Sequence, residues 1–159
     1  MSHRLTRSLW LPLARPQAFA FFADAFNLER ITPPELHFQV VTPAPIELRA
    51  GALIEYRLRL FGVPMYWRTL IAVWRPGECF VDEQLDGPYA QWIHRHRFRD
   101  ERGGTRIDDQ VDYRLPLGPA GRGAWPLVAL QLRRIFDYRQ QAVAALLGGT
   151  CPGPDRPAS

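Results

Sequence analysis

Gly87-Pro88-Tyr89-Ala90-Gln91-Trp92-Ile93-His94-Arg95-His96-Arg97-Phe98 reads as a turn followed by a strand. The alternation has period two, so Trp92, His94, His96 and Phe98 share one face while Arg95 and Arg97 fall on the other. The first face is neither a plain core nor a plain surface. Two imidazoles between two aromatics suit the lining of a pocket, where apolar walls hold a ligand and a few polar atoms orient it.

The strand pattern extends outward on both sides. Residues 37–42, 52–61, 65–74 and 79–85 precede it, residues 91–99 contain it, and residues 105–115 follow. The breaks fall at Gly51, Gly62-Val63-Pro64, Arg75-Pro76-Gly77, Asp86-Gly87-Pro88 and Arg102-Gly103-Gly104, all rich in residues that suit tight turns. Consecutive strands on short links imply an antiparallel meander. Residues 3–11 supply a first strand, and Pro16 then sits where a helix begins without losing a needed amide hydrogen bond. Phe19, Phe22, Ala23 and Phe26 recur at helical spacing, and Asn27 is placed to cap a second short helix through Ile31, ended by Pro33-Pro34. After Pro116 and a glycine-rich loop, residues 125–147 read as one helix about 33 Å long. Its stripe is Val128, Leu132, Ile135, Phe136, Val143, Leu146 and Leu147.

The 159 residues, 47% of them hydrophobic, suit one domain over residues 1–148; Gly148-Gly149 stops the helix, and residues 149–159 read as a disordered tail. All 20 basic residues are arginine, giving a formal charge of +4. They are spread along the chain among acids, so no nucleic-acid partner is expected. Cys79 lies in a strand-like segment and Cys151 in the tail, which points away from a disulfide framework and toward the cytoplasm. The apolar run after Arg4 and Arg7 is interrupted by Arg15 and Pro16 after about seven residues, at the short limit for a secretory core, and reads as part of the first strand. Nothing approaches the roughly 20 apolar residues of a spanning helix. Arg122 near Trp125 leaves room for transient membrane contact, and a monomer or weak dimer is expected.

A strand, two short helices, six strands and a long terminal helix have a physical consequence. A seven-stranded antiparallel sheet twists and, coiling further, wraps around the helix that must bury its stripe, leaving a cavity where side chains do not fill the space. This α+β order resembles the helix-grip fold of the START-like, or SRPBCC, superfamily, the polyketide cyclase/dehydrase and lipid-transport group. Local wording adds to the likeness: Asn27-Leu-Glu-Arg-Ile-Thr32-Pro33-Pro34, Pro64-Met-Tyr-Trp67-Arg-Thr69, Phe80-Val-Asp82-Glu-Gln84, the histidine strand itself, Asp109-Gln-Val-Asp-Tyr113 and Ile135-Phe-Asp-Tyr-Arg139. These segments resemble a bacterial ligand-binding subfamily found as standalone domains and fused in front of nucleotide-sugar-epimerase-like domains. The fold itself hosts carriers, sensors and enzymes.

A close hairpin at Arg102-Gly103-Gly104 would set Phe98 opposite Thr105, His96 opposite Ile107, His94 opposite Asp109 and Trp92 opposite Val111. The other face would carry Arg95, Arg97, Arg106, Asp108 and Asp112, so this register separates an apolar-plus-histidine face from a charged one. His94 and Asp109 are then candidate partners, the carboxylate fixing which ring nitrogen faces the ligand. On strand alternation alone, either Asp82 and Gln84 or Val81 and Glu83 face inward; the family resemblance implies Asp82 and Gln84. Arg139 falls within the helix stripe and either extends its stem to solvent or enters the cavity to meet a carboxylate or an anionic ligand.

The expected activity is binding of a hydrophobic or aromatic small molecule, a lipid, isoprenoid or polyketide-like compound, between sheet and last helix, as carrier or sensor. Asp82, Gln84, His94, His96 and Asp109 are the polar contacts, Trp67, Trp92 and Tyr113 the walls, and Arg139 the counter-ion. An enzyme of cyclase or dehydrase type, moving protons through His94 and Asp109, is the alternative. A protein-interaction module with a filled cavity is the second alternative. His94-x-His96 with a carboxylate is a ligand set zinc accepts, but alternating histidines are common in strands without metal, and neither a metal nor another cofactor is expected. Serine or cysteine nucleophile arrangements and phosphate loops are absent from the sequence.

Overall fold

The computed structural model describes residues 2–116 and 118–150, the side chains of residues 119–122 excepted. Residues 151–159 of the expected tail, Cys151 among them, lie outside the described residues. Seven strands, β1 (His3–Leu11), β2 (Gln39–Val40), β3 (Leu53–Leu60), β4 (Val63–Arg75), β5 (Cys79–Asp86), β6 (Gln91–Glu101) and β7 (Gly104–Arg114), form one antiparallel sheet. Their order is β1-β7-β6-β5-β4-β3-β2. The meander is sequential except that β1 lies beside β7. Helices α1 (Arg15–Phe22) and α2 (Asn27–Ile31) and a 3-10 turn (Pro34–Leu36) therefore carry the chain from one sheet edge to the other. The long helix α3 (Gly118–Leu147) packs against β1 and α2.

Curvature comes from local backbone features. The β4–β5 register shifts between Arg68 and Thr69 and again between Ile71 and Val73, and such bulges bend a strand and increase its twist. The β3–β4 and β6–β7 hairpins turn on Phe61-Gly62 and Arg102-Gly103, each with positive φ at both central residues (51° and 79°; 51° and 73°). That is the two-residue turn whose twist matches the flanking strands.

This turn corrects the expected β6–β7 pairing. The hairpin closes with Glu101 opposite Gly104, so Phe98 faces Ile107, His96 faces Asp109, His94 faces Val111 and Trp92 faces Tyr113. The slip is by two residues, which changes every partner and leaves every side chain on its expected face. Arg95 duly meets Asp112, and Arg99 and Arg106 meet Asp108, on the solvent side.

Other boundaries differ for physical reasons. β2 is shorter than residues 37–42 because His37 adopts a left-handed conformation (φ 43°) and Pro43 and Pro45 beyond Thr42 cannot donate to a ladder. Asn27 is the first residue of α2 rather than its cap. Its amide donates to the Phe21 carbonyl and its oxygen accepts from Arg30, while Asp24 accepts the Phe26 amide. α3 begins at Gly118, within the stretch expected to be a loop, so its 30 residues span about 45 Å, with Pro126 inside it. Leu146, counted in its apolar stripe, is exposed. Gly148 (φ 73°) ends the helix as expected, and Gly149 and Thr150 do not begin a disordered tail: Thr150 pairs with Trp10 through two backbone hydrogen bonds.

One end of the molecule is solidly packed, with Leu9, Leu11, Phe19, Ile107 and Val143 buried together. Residues of the sheet and of α3 also line a common cavity.

Candidate functional site

On β6, Trp92, His94, His96 and Phe98 are buried at 8%, 4%, 2% and 2% exposure, so the alternation of the sequence is realised on the concave side. The neighbouring strands complete the site. Phe80 and Asp82 on β5 stand opposite His96 and His94, and Asp109 on β7 stands opposite His96. Phe80 stacks on the His96 ring at 4.0 Å, and Phe136 of α3 meets the His94 ring edge-on at 5.4 Å.

Two carboxylates flank the two imidazoles. His96 Nε2 donates to Asp82 Oδ2 at 2.9 Å, and His94 Nδ1 lies 3.6 Å from the same oxygen. On the far side, Asp109 Oδ1 is 2.8 Å from His96 Nδ1 and 3.3 Å from His94 Nε2. These last contacts are close but misaligned, so His94 Nε2, His96 Nδ1 and Asp109 Oδ1 are buried without a formed hydrogen bond. Asp82 keeps 18% of its side chain accessible, on the cavity side.

The electrostatics separate the two histidines. Burial, reinforced by the charge of His96, holds the His94 imidazole below its ordinary value despite Asp82 and Asp109. Burial acts the same way on His96, but the two carboxylates outweigh it and push that ring up. Burial alone would raise both carboxyl groups. The imidazoles overcome it, holding Asp82 below the usual carboxylate range, with help from Arg139, and Asp109 well below it.

The cavity between sheet and α3 has a volume of about 150 Å³ and is chiefly apolar. Trp67, Trp92, Leu132, Ile135 and Phe136 form one wall, Ile54, Leu58 and Ile71 another, and Asp82, His94, His96 and Arg139 supply polar atoms. Trp67 meets Trp92 edge-on at 5.1 Å. The Arg139 guanidinium carbon sits 5.7 Å from the Phe22 ring centroid and 5.9 Å from that of Phe136. Its Nε is buried without a partner. Tyr56, also on the wall, has its phenol pushed far up by burial.

The structure thus brings Trp67, Asp82, Trp92, His94, His96 and Arg139 to one cavity, and it resolves β5 in favour of Asp82 over Val81. Arg139 enters the cavity wall rather than solvent. Asp109 is set back behind the histidines instead of facing the cavity. Gln84 and Tyr113 are not on the cavity wall. The Gln84 amide donates to the Tyr89 carbonyl and accepts from the Tyr89 N–H, clamping the turn before β6, and Tyr113 accepts from Trp125 Nε1. Sequence reasoning missed Tyr56, Thr69 and the β3 wall, although Ile54, Tyr56, Leu58 and Leu60 alternate along their strand and carried the needed signal.

No family model matches the chain, and no curated protein matches it. Solved structures do. The Zhui aromatase/cyclase from Streptomyces sp. R1128 superposes with a TM-score of 0.75 at 12% identity, covering 93% of this chain and 94% of that one. A START superfamily protein from Mycobacterium smegmatis gives 0.67 at 11% identity, covering 91% and 99%. The nucleoside-diphosphate sugar epimerase from Corynebacterium glutamicum gives 0.68 at 28% identity, covering 91% of this chain and 29% of that longer one. The fold is that of the START-like helix-grip proteins.

Proposed function

We propose that this START-like helix-grip domain binds a hydrophobic or aromatic small molecule, of lipid, isoprenoid or polyketide-like character, as a carrier or sensor in the cytoplasm. The observation that carries the reading is the cavity itself: an apolar chamber walled by Trp67, Trp92 and Phe136, with Asp82, His94, His96 and Arg139 among its lining. Apolar walls supply affinity, and a few convergent polar groups fix orientation. Arg139 is the recognition element for an acidic or hydrogen-bond-accepting end of the ligand, since its buried Nε has a proton to give and, among the described residues, nothing that takes it. No described helix is long and apolar enough to cross a membrane, and Cys79 is a free thiol. The proposed partner is the small molecule, with transient bilayer contact for loading and a monomer or weak dimer as the working form.

Native mass spectrometry of freshly purified protein is expected to show a co-purified small molecule. A thermal-shift screen of lipids and aromatic acids is expected to raise the melting temperature. No bound mass after gentle purification, with no shift across the library, overturns the reading in favour of an interaction module.

A second reading is favoured by one observation, the opposed shifts of His94 downward and His96 upward, because groups whose pKa values are driven apart serve as base and acid. In a cyclase or dehydrase, His94→Gln and His96→Gln variants would still bind ligand but lose turnover. In a carrier they keep measurable affinity and there is no turnover to lose.

A further inference from the structure

The polar side of the cavity has the composition and spacing of a metal centre. One ligand atom from each of Asp82, His94 and His96 lies within 4.8 Å of the others. The contacts to Asp82 Oδ2 are 2.9 Å from His96 Nε2 and 3.6 Å from His94 Nδ1. Ligands at about 2.0–2.1 Å from a tetrahedral ion stand roughly 3.3 Å apart, so both separations need shift by only a few tenths of an ångström. The backbone sets this up: a His-x-His pair on one strand face points two imidazoles the same way, and the antiparallel neighbour places a carboxylate directly opposite His94.

The second, independent observation lies behind the triad. Asp109 is not on the cavity wall, and its Oδ1 approaches the remaining nitrogen of each ring, His96 Nδ1 and His94 Nε2. Those nitrogens and that oxygen are buried without a formed hydrogen bond. An outer carboxylate that takes the far N–H of a ligating histidine is the usual support of a metal site, because it fixes the tautomer and the ring's orientation. Here one carboxylate serves two histidines. We infer that Asp82, His94 and His96 bind a divalent first-row transition ion, zinc or iron(II) by ligand type, the ion replacing the Nε2 proton that His96 otherwise gives to Asp82 and releasing it to solvent, with Asp109 as the positioning residue and an open coordination position toward the cavity. Two imidazoles and one carboxylate leave room for a water or for the oxygen of a cavity ligand. This assignment stands apart from the identity of any organic ligand, since metal uptake is read without one.

The test uses the whole chain, stripped with a chelator and titrated with Co²⁺ and then Zn²⁺. One Co²⁺ per chain is expected, with the visible bands of a low-coordinate site, bleached by Zn²⁺, and Zn²⁺ is expected to raise the melting temperature. His96→Gln and Asp82→Asn should lose the bands, whereas His37→Gln, on the left-handed residue after the 3-10 turn, should keep them. Asp109→Asn should keep the site but bind about 10- to 100-fold more weakly. If the ligand variants fail to fold, histidine ¹⁵N spectra of the wild-type protein still decide: only the His94 and His96 rings should shift with Zn²⁺. No uptake by the wild-type chain at micromolar Co²⁺ and Zn²⁺, uptake retained by folded His96→Gln and Asp82→Asn, or shifts at His3 and His37 instead, would overturn the assignment.

Discussion

Replacing Arg139 with Met separates a ligand-recognition arginine from a structural one. A buried arginine paired with a carboxylate costs about 3–5 kcal/mol when one partner is removed. Arg139 has no ion pair among the described residues, and its Nε is buried and unbonded, an arrangement that itself costs about 1–3 kcal/mol. Against that relief stands the loss of two cation–π contacts, at 5.7 and 5.9 Å, each worth about 0.5–1 kcal/mol. Met keeps most of the aliphatic stem. The attraction to Asp82, which Arg139 helps hold below its usual range, adds to that loss, so urea unfolding of the ligand-free Arg139→Met variant should give a stability within about 2 kcal/mol of wild type. Binding should respond quite differently. A hydrogen bond to a charged group is worth about 1.5–3 kcal/mol, so affinity for the anionic probe 1-anilinonaphthalene-8-sulfonate should fall about 10- to 150-fold. The uncharged analogue N-phenyl-1-naphthylamine should bind nearly as before. A stability loss of about 3 kcal/mol or more, or equal weakening of both probes, would refute the reasoning.

Three further outcomes follow from the geometry. Gln84→Ala should cost about 1–2 kcal/mol, because the side chain holds both the carbonyl and the N–H of Tyr89 at 2.7 and 3.2 Å; hydrogen exchange at the turn before β6 should quicken, and an unchanged rate would remove Gln84 from that role. Ile107→Val, at a residue 1% exposed in the packed end, should cost about 0.5–1.5 kcal/mol by urea unfolding while leaving probe affinity intact. On the outer face, burial alone would raise Asp108 and Asp112. Hydrogen bonds from Ser8, Arg106 and Arg99 to the first, and from Arg4, Gln110 and Arg95 to the second, hold both below the usual range. Their folded pKa values lie under the unfolded ones, so their stabilisation is present above about pH 4 and lost as the pH falls further. The Asp108→Asn/Asp112→Asn variant should therefore show a shallower fall in urea midpoint between about pH 5 and 3, and an unchanged slope would count against this network.

Most of the fold was legible because its signals are local. Period-two alternation marks β3 to β7, turn residues separate them, and the stripe from Val128 to Val143 marks α3. What misled were places where one chemical detail overrides pattern. The positive φ of Arg102 moved the hairpin by two residues, and His37 in a left-handed conformation, with the prolines after Thr42, cut β2 short. The slip shows why the site survived a wrong register: an even displacement conserves faces, so His94, His96 and Asp109 stayed together although their cross-strand partners changed. The strand pattern puts Tyr113 on the cavity wall, and the family resemblance puts Gln84 there, because each gives a face and not a reach. Their polar ends are captured by Tyr89 and Trp125, which no alternation rule encodes.

The distribution of unmet hydrogen-bonding capacity connects these readings. Among the described residues, the buried side-chain polar atoms that lack a partner belong to His94, His96, Asp109 and Arg139, all at one site. The packed end around Leu11 and Ile107 contributes none. Natural interiors satisfy nearly all such atoms, and here the exceptions are one misaligned Asp109–imidazole contact and the Arg139 Nε, both beside the apolar cavity between sheet and helix. Local rules kept elsewhere and broken together in one place are what a functional site is expected to show. An ion between Asp82 and the two imidazoles would align the far nitrogens on Asp109, and an acidic ligand end would answer Arg139. The two completions are compatible, because an ion opening onto the cavity and the guanidinium on α3 would both face the same bound molecule.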